Sequence, residues 1–245
     1  MNKLTPKAVI FDLGSTLIDY PSTTWEEVSV DCMAAVRRVI LRTNQNVPDD
    51  EAFYAAYRQI RQEHRAVAAE TLVEWTVPQV IGKLLESLGL DGDEGSADRL
   101  FDAYYEPVRQ YLYVYEDTCE ILTRIMARYG VVGLVSNTVF PERIHLEELK
   151  RFGLDSLLTF KLFSSTFGLR KPHPDIFYKA ANLAGFSPSE CVYIGDRYLE
   201  DISGPNQIGM PAILRFQEGR DYPDDPFGET RQVLALTDLE HHFDY

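Results

Sequence analysis

Cysteine is scarce in this 245-residue chain. The three residues, Cys32, Cys119 and Cys191, stand far apart, and no Cys-x-x-Cys pair exists. An odd, scattered set argues against a disulfide framework or a zinc site, and for structural thiols in a reducing compartment. Basic residues are also short, 24 against 38 acidic ones, for a formal net charge of −14. A general nucleic-acid binder or a membrane-surface protein carries the opposite bias. Residues 1–7 run straight into a short apolar stretch with no signal-peptide core, and no apolar run approaches membrane length. These absences predict a cytoplasmic protein with neither nucleic acid nor membrane as partner. An anionic small substrate stays open, because a few amides and one lysine hold a phosphate even inside an acidic protein.

The rest of the composition is that of an ordinary globular chain. Apolar residues make up 45% and charged residues 25%, enough to bury a sizeable core in one large domain or two small ones. No internal repeat is visible.

The apolar run 8–11 stops at Asp12 and gives way to Gly14, Ser15 and Thr16, the pattern of a buried strand feeding a tight polar loop. Between about 25 and 111 the period is helical. Val28, Cys32, Ala35, Val39 and Ile40 share one face; Phe53, Tyr57, Ile60, His64 and Val67 share another. Val77, Ile81, Leu84, Leu85 and Leu88 make a third, and Leu100, Phe101, Tyr104 and Val108 a fourth. This predicts an insertion of about four helices. After Tyr113 the chain alternates. Helices are expected over 117–129, from Pro141 to a stop at Gly153, and from Pro174 to a stop at Gly185. Strands are expected over 131–135, 157–163 and 191–194, with 212–216 as the last. Residues 218–228 read as loop, and His241-His242 as an exposed tail. Alternating strands and helices predict a parallel sheet covered on both faces.

Polar clusters fall at the ends of three of these strands: Asp12, Ser136-Asn137 and Asp196. Ligands of an open parallel sheet bind at that edge. Lys171 joins them from a Gly-Leu-Arg-Lys-Pro segment. In order, Phe-Asp12-Leu-Gly-Ser-Thr16-Leu, Val-Ser136-Asn137-Thr, Gly168-Leu-Arg-Lys171-Pro and Gly195-Asp196, followed five residues on by Asp201, resemble the four motifs of the haloacid dehalogenase superfamily. The helical stretch between the first and second resembles a C1-type cap of its phosphatase-like branch. Each motif alone is loose, but the ordered set is specific and covers nearly the whole chain.

The resemblance implies an α/β fold: a Rossmann-like three-layer core with a parallel sheet from residues 1–20 and 112–245, and an inserted all-helical cap from 21–111. It implies a hydrolase of small phosphate monoesters in which Asp12 attacks phosphorus and carries an aspartyl phosphate. Asp12, Asp196 and the Gly14 carbonyl would hold Mg²⁺, a hard ion that takes oxygen ligands. Ser136 and the Asn137 amide would bind the phosphoryl oxygens, and Lys171 would balance their charge. Thr16 would support the loop. Asp201, at the start of the next helix, would orient the metal's ligands. His173 would pack its loop, the tyrosines at 104, 105, 111, 113 and 115 would serve packing and hinges, and Pro205 would kink or shorten the helix after Asp201.

One position departs from the pattern. Most phosphatases of the superfamily carry a second Asp two residues after the nucleophile, which protonates the leaving alkoxide and then activates water. Here that position is Gly14. A water, a cap residue or a good leaving group could replace the acid. Alternatively, the protein is a metal-independent 2-haloacid dehalogenase-like enzyme, since halide leaves without a proton. Against that reading, the Gly195-Asp196…Asp201 set predicts a metal site. A third reading is a catalytically impaired phospho-ligand-binding protein. A phosphonate-cleaving member would need a cap lysine, and Lys83 is the only one there.

Overall fold

A computed structural model describes residues 3–20, 25–42, 46–90, 95–223 and 230–243. Its centre is a six-stranded, wholly parallel sheet built from β1 (Ala8–Phe11), β2 (Val132–Ser136), β3 (Phe160–Phe163), β4 (Cys191–Gly195), β5 (Ala212–Arg215) and β6 (Arg231–Val233), in the order β3-β2-β1-β4-β5-β6. β1, β2 and β4 are buried at every residue, which is why they read as unbroken apolar runs. Ala8 and Ile10 join Val135 and Tyr193 in a core with Ile176, Phe177 and Ala180 of the helix Pro174–Ala184. By the alternation of a strand, Val9 and Phe11 face the other side, where the helix Thr118–Tyr129 buries Ile121, Leu122 and Ile125.

The strand order explains how distant residues meet. β1 is flanked by β2, with Val9 opposite Val132, and by β4, with Val9 opposite Val192. The connections reverse direction between β1 and β4, the switch point where an open α/β sheet leaves a crevice at its carboxyl edge. Asp12 and Asp196 flank that crevice.

The chain divides into two compact units: 1–19, 114–138 and 142–245 in one, 20–113 and 139–141 in the other. Among the described residues the second contains the helices Trp25–Ile40, Asp50–Thr71, Val77–Ser87 and Ser96–Arg109. Asp49 caps the second through Ala52 N at 2.9 Å, and Thr76 and Gln79 form a capping box at the third. Its interior is aromatic: Tyr57 and Tyr104 share a hydroxyl–hydroxyl bond of 3.0 Å, and Phe101 and Tyr105 pack on Phe140. Residues 139–141 join this unit through contacts of that kind, an excursion with no local sequence signal. No helix of the described residues is long and apolar enough to cross a membrane.

Several expectations need correction. The run 157–163 opens not as strand but as a 3₁₀ turn, Asp155–Leu157, and the strand begins at Phe160. The strand ending at 215 is not the last: β6 follows on the sheet edge, missed because only Val233 of its three residues is buried. The C-terminal segment is no loose tail. Leu4 N donates to His242 O at 2.7 Å, Phe243 is fully buried, and His242 Nε2 lies 3.1 Å from Gln232 O. The expected loop 218–228 is a turn at 218–219 followed by irregular backbone through 223, and the remainder lies outside the described residues.

Candidate active site

Asp12 follows β1 directly, and its N–H donates to Ile194 O of β4 at 2.8 Å. The carboxylate is 7% exposed. Its Oδ1 accepts from Lys171 Nζ at 2.7 Å. Lys171, itself 2% exposed, also donates to Asp201 Oδ1 at 2.6 Å and to the Tyr193 hydroxyl at 2.8 Å. Val135 O stands farther away, at 3.3 Å, and receives the Tyr193 hydroxyl proton at 2.9 Å. An ammonium has three protons, and Asp12, Asp201 and Tyr193 are the nearest takers. In this state Lys171 can influence a ligand through its charge, but has no uncommitted proton to give it.

Burial pushes the Asp12 carboxyl up to about 6; the Lys171 charge opposes the rise and the Asp201 charge adds to it. Burial works against a charged Lys171, but Asp12 and Asp201 outweigh it and hold the ammonium well above its ordinary value. Burial likewise raises the Tyr193 phenol well above its ordinary value, so the hydroxyl is a neutral partner of the lysine.

Asn137 sits one residue beyond β2 and grips the Lys171 backbone from both sides. Its Nδ2 donates to Lys171 O at 2.9 Å, and its Oδ1 accepts from Lys171 N at 2.7 Å. The side-chain amide thereby fixes the lysine. Ser136 ends β2, 5% exposed. The Thr16 hydroxyl is buried without a hydrogen-bond partner. His173 accepts from Asp175 N at 3.2 Å and so caps the helix Pro174–Ala184.

Asp201 does not open a helix. It lies inside a π-helical stretch, Tyr198–Ser203, that runs into a short α turn, Gly204–Asn206. Pro205 falls in the first positions of that turn, where proline is tolerated. Both Asp201 oxygens are occupied: Oδ1 by Lys171, Oδ2 by the N–H groups of Asp196 and Arg197 at 3.1 and 2.9 Å. Asp196 is 1% exposed; both its carboxylate oxygens are buried without a hydrogen bond, and Oδ2 lies against the Arg220 guanidinium as an ion pair.

Asp12, Asp196 and Asp201 each offer a carboxylate oxygen, and the three atoms lie within 4.8 Å of one another. With the orphaned Asp196 Oδ1 among them, this all-oxygen donor set fits a small hard cation such as Mg²⁺. Asp201 is the least available of the three, because both its oxygens are engaged. Gly14, the position of the absent acid, has nothing within 4 Å of a notional Cβ.

Tyr193, Arg215, Arg220 and Tyr222 belong to the site and lie outside the motif residues singled out from sequence. Tyr193 alone left a trace, a hydroxyl inside the otherwise apolar strand Cys-Val-Tyr-Ile-Gly. Arg215, 4% exposed, stacks over Tyr115 at 3.7 Å and donates to Ser15 O and Thr16 O at 3.1 and 2.6 Å. It braces the loop after Asp12 from the end of β5.

A family model described as haloacid dehalogenase-like hydrolase matches residues 6–209. The chain is similar to glyceraldehyde 3-phosphate phosphatase from Methanopyrus kandleri, 28% identical over 241 residues that cover 94% of this chain and 96% of the relative. It is also similar to phosphoglycolate phosphatase from Xylella fastidiosa, 26% identical over 238 residues, covering 96% and 90%. Among solved structures, the fold resembles 2-haloacid dehalogenase from Pseudomonas syringae pv. Tomato, with TM-score 0.70, 24% identity and coverage of 96% and 97%. It also resembles the HAD phosphatase from Thermococcus onnurineus, with TM-score 0.60, 22% identity and coverage of 96% of each chain.

Proposed function

The chain belongs to the haloacid dehalogenase-like hydrolases, and from that premise we propose that it is a Mg²⁺-dependent phosphatase of small phosphate monoesters, working through an aspartyl phosphate on Asp12. The observation that carries this reading is the buried cluster of three carboxylates, Asp12, Asp196 and Asp201, with Asp196 Oδ1 left without a hydrogen bond. A dehalogenase releasing halide has no need of a cation-binding oxygen cluster beside its nucleophile.

In this reading Lys171 holds Asp12 Oδ1, and Asp12 Oδ2 attacks phosphorus. The P–O bond to the substrate alcohol breaks as the bond to Asp12 forms. Water then cleaves the aspartyl phosphate and restores the carboxylate. Asp12, Asp196 and the Gly14 carbonyl would hold Mg²⁺, which when bound offsets the repulsion between an anionic nucleophile and an anionic substrate. Ser136 and Asn137 serve the phosphoryl group, the latter by fixing Lys171. Thr16 supports the nucleophile loop. Asp201 acts through its neighbours, holding Lys171 and the Asp196 turn in register. Residues 1–20 and 112–245 supply the chemistry, and the cap, residues 21–111, selects the substrate. A soluble, cytoplasmic setting suits a small phosphorylated substrate.

A metal-controlled activity panel tests this. An activated aryl phosphate, sugar phosphates and 2-haloacids are compared with and without Mg²⁺, in wild type and Asp12→Asn. Phosphate release that needs Mg²⁺ and disappears in Asp12→Asn is expected. Halide release without metal would establish the dehalogenase reading instead. Phosphate-ester binding with no turnover of any compound would establish the binding protein.

A further inference from the structure

One lysine cannot balance the three buried carboxylates, and a residue outside the motifs supplies a second cation. Asp12 and Asp201 share the Lys171 ammonium at 2.7 and 2.6 Å. Asp196 has no part in that lysine, although its side chain is 2% exposed. A buried carboxylate without a counter-ion is costly. The cation it does meet is Arg220, whose Nη1 pairs with Asp196 Oδ2.

Arg220 is held there by its own segment. Its Nη1 also donates to Asp196 O at 3.2 Å, beside the Tyr222 hydroxyl, which donates to the same oxygen at 3.1 Å. Tyr222 in turn accepts from Gln217 N at 3.0 Å, and Gln217 Nε2 donates to Ser15 O at 2.6 Å. Residues 217–222 thus strap the Asp196 turn to the nucleophile loop. Within the strap, the Arg220 side chain is 30% exposed, so it can reach water without leaving a cavity.

We propose that Arg220 is a tethered counter-ion that competes with the divalent cation for Asp196. The guanidinium neutralises the carboxylate in the metal-free protein, and metal binding exchanges it into solvent. The inference rests on the metal reading given above. It means that the measured metal affinity is weaker than the donor set alone would give, because each binding event breaks an ion pair first.

The test is calorimetric titration of the full-length protein with Mg²⁺ at pH 8, in wild type, Arg220→Gln, Arg220→Lys and Asp196→Asn. Arg220→Gln should bind Mg²⁺ several-fold to about tenfold more tightly, the worth of one partly exposed ion pair. Arg220→Lys, which keeps the charge, should stay near wild type. In wild type, Mg²⁺ should also speed backbone amide exchange across residues 217–222. Equal or weaker binding by Arg220→Gln, with binding still abolished in Asp196→Asn, overturns the competition and leaves the metal reading standing. Absence of Mg²⁺ binding in both folded wild type and Arg220→Gln overturns the metal reading and the competition together. If Arg220→Gln does not fold, amide exchange in wild type decides: slower exchange across 217–222 on adding Mg²⁺ overturns the proposal.

Discussion

A Cβ on Gly195 would lie 2.4 Å from the Cγ of Asp201. Asp201 cannot retreat without releasing Lys171 or the Asp196 turn, because both its oxygens are bonded. Gly195→Ala is therefore expected to cost about 1–3 kcal/mol of stability by overpacking, and to lower kcat beyond what the stability loss explains. Urea unfolding and steady-state kinetics on the same preparations check it. Wild-type kcat in a folded Gly195→Ala protein would show that the Asp201 clamp is dispensable.

Two residues after Asp12, the situation is the reverse. Gly14 has open space around its missing Cβ and no left-handed backbone angle, so Gly14→Asp should fold within about 0.5 kcal/mol of wild type. The wild-type rate should depend steeply on leaving-group pKa. The substituted carboxyl should flatten that dependence and raise rates on poor leaving groups, up to about 10² if it acts as general acid. A flat dependence in wild type would mean that another group already supplies the proton.

The lysine between two carboxylates predicts a large asymmetry. Lys171→Met leaves Asp12 and Asp201 buried and facing each other, and should cost roughly 3–5 kcal/mol. Removing one of the stranded charges as well, in Lys171→Met/Asp201→Asn, should restore part of that stability but none of the activity. An additive double-mutant cycle would argue that the 2.6 Å pair contributes nothing specific.

The pH dependence follows from Asp12. Its folded-state pKa, pushed up to about 6 chiefly by burial, stands above the ordinary 3.8. A raised acid contributes stability that is fully present below the unfolded value and is lost as pH rises through the folded one. In chelator, Asp12→Asn should thus be more stable than wild type at pH 8, and lose that advantage towards pH 4. Mg²⁺ affinity of wild type should fall by about tenfold per pH unit below about 6, since the metal needs the ionised carboxylate. Urea midpoints and metal titrations across that range measure both.

The elements carrying Asp12, Ser136 and Asp196 were legible because strands buried on both faces leave unbroken apolar runs, each ended by a polar residue. The helical insertion was legible from its period. β6 was not: a three-residue edge strand with two polar side chains has no pattern to read. Neither was the second layer of the site. Nothing in the spacing of Tyr193, Arg215 or Arg220 announces that one caps a lysine, one braces two loop carbonyls and one faces a carboxylate. Those roles arise from strand order, which brings together residues nearly the length of the chain apart.

The central position of β1 has a consequence for the order of folding. Its two neighbours are Val132–Ser136 and Cys191–Gly195, so the strand that leads into Asp12 is made long before either partner. A growing chain exposes Ala8–Phe11 with no sheet partner until well over a hundred further residues have emerged, while the helices between can close on local contacts. For that interval the four apolar residues ahead of Asp12 are the part of the newborn protein most in need of shelter.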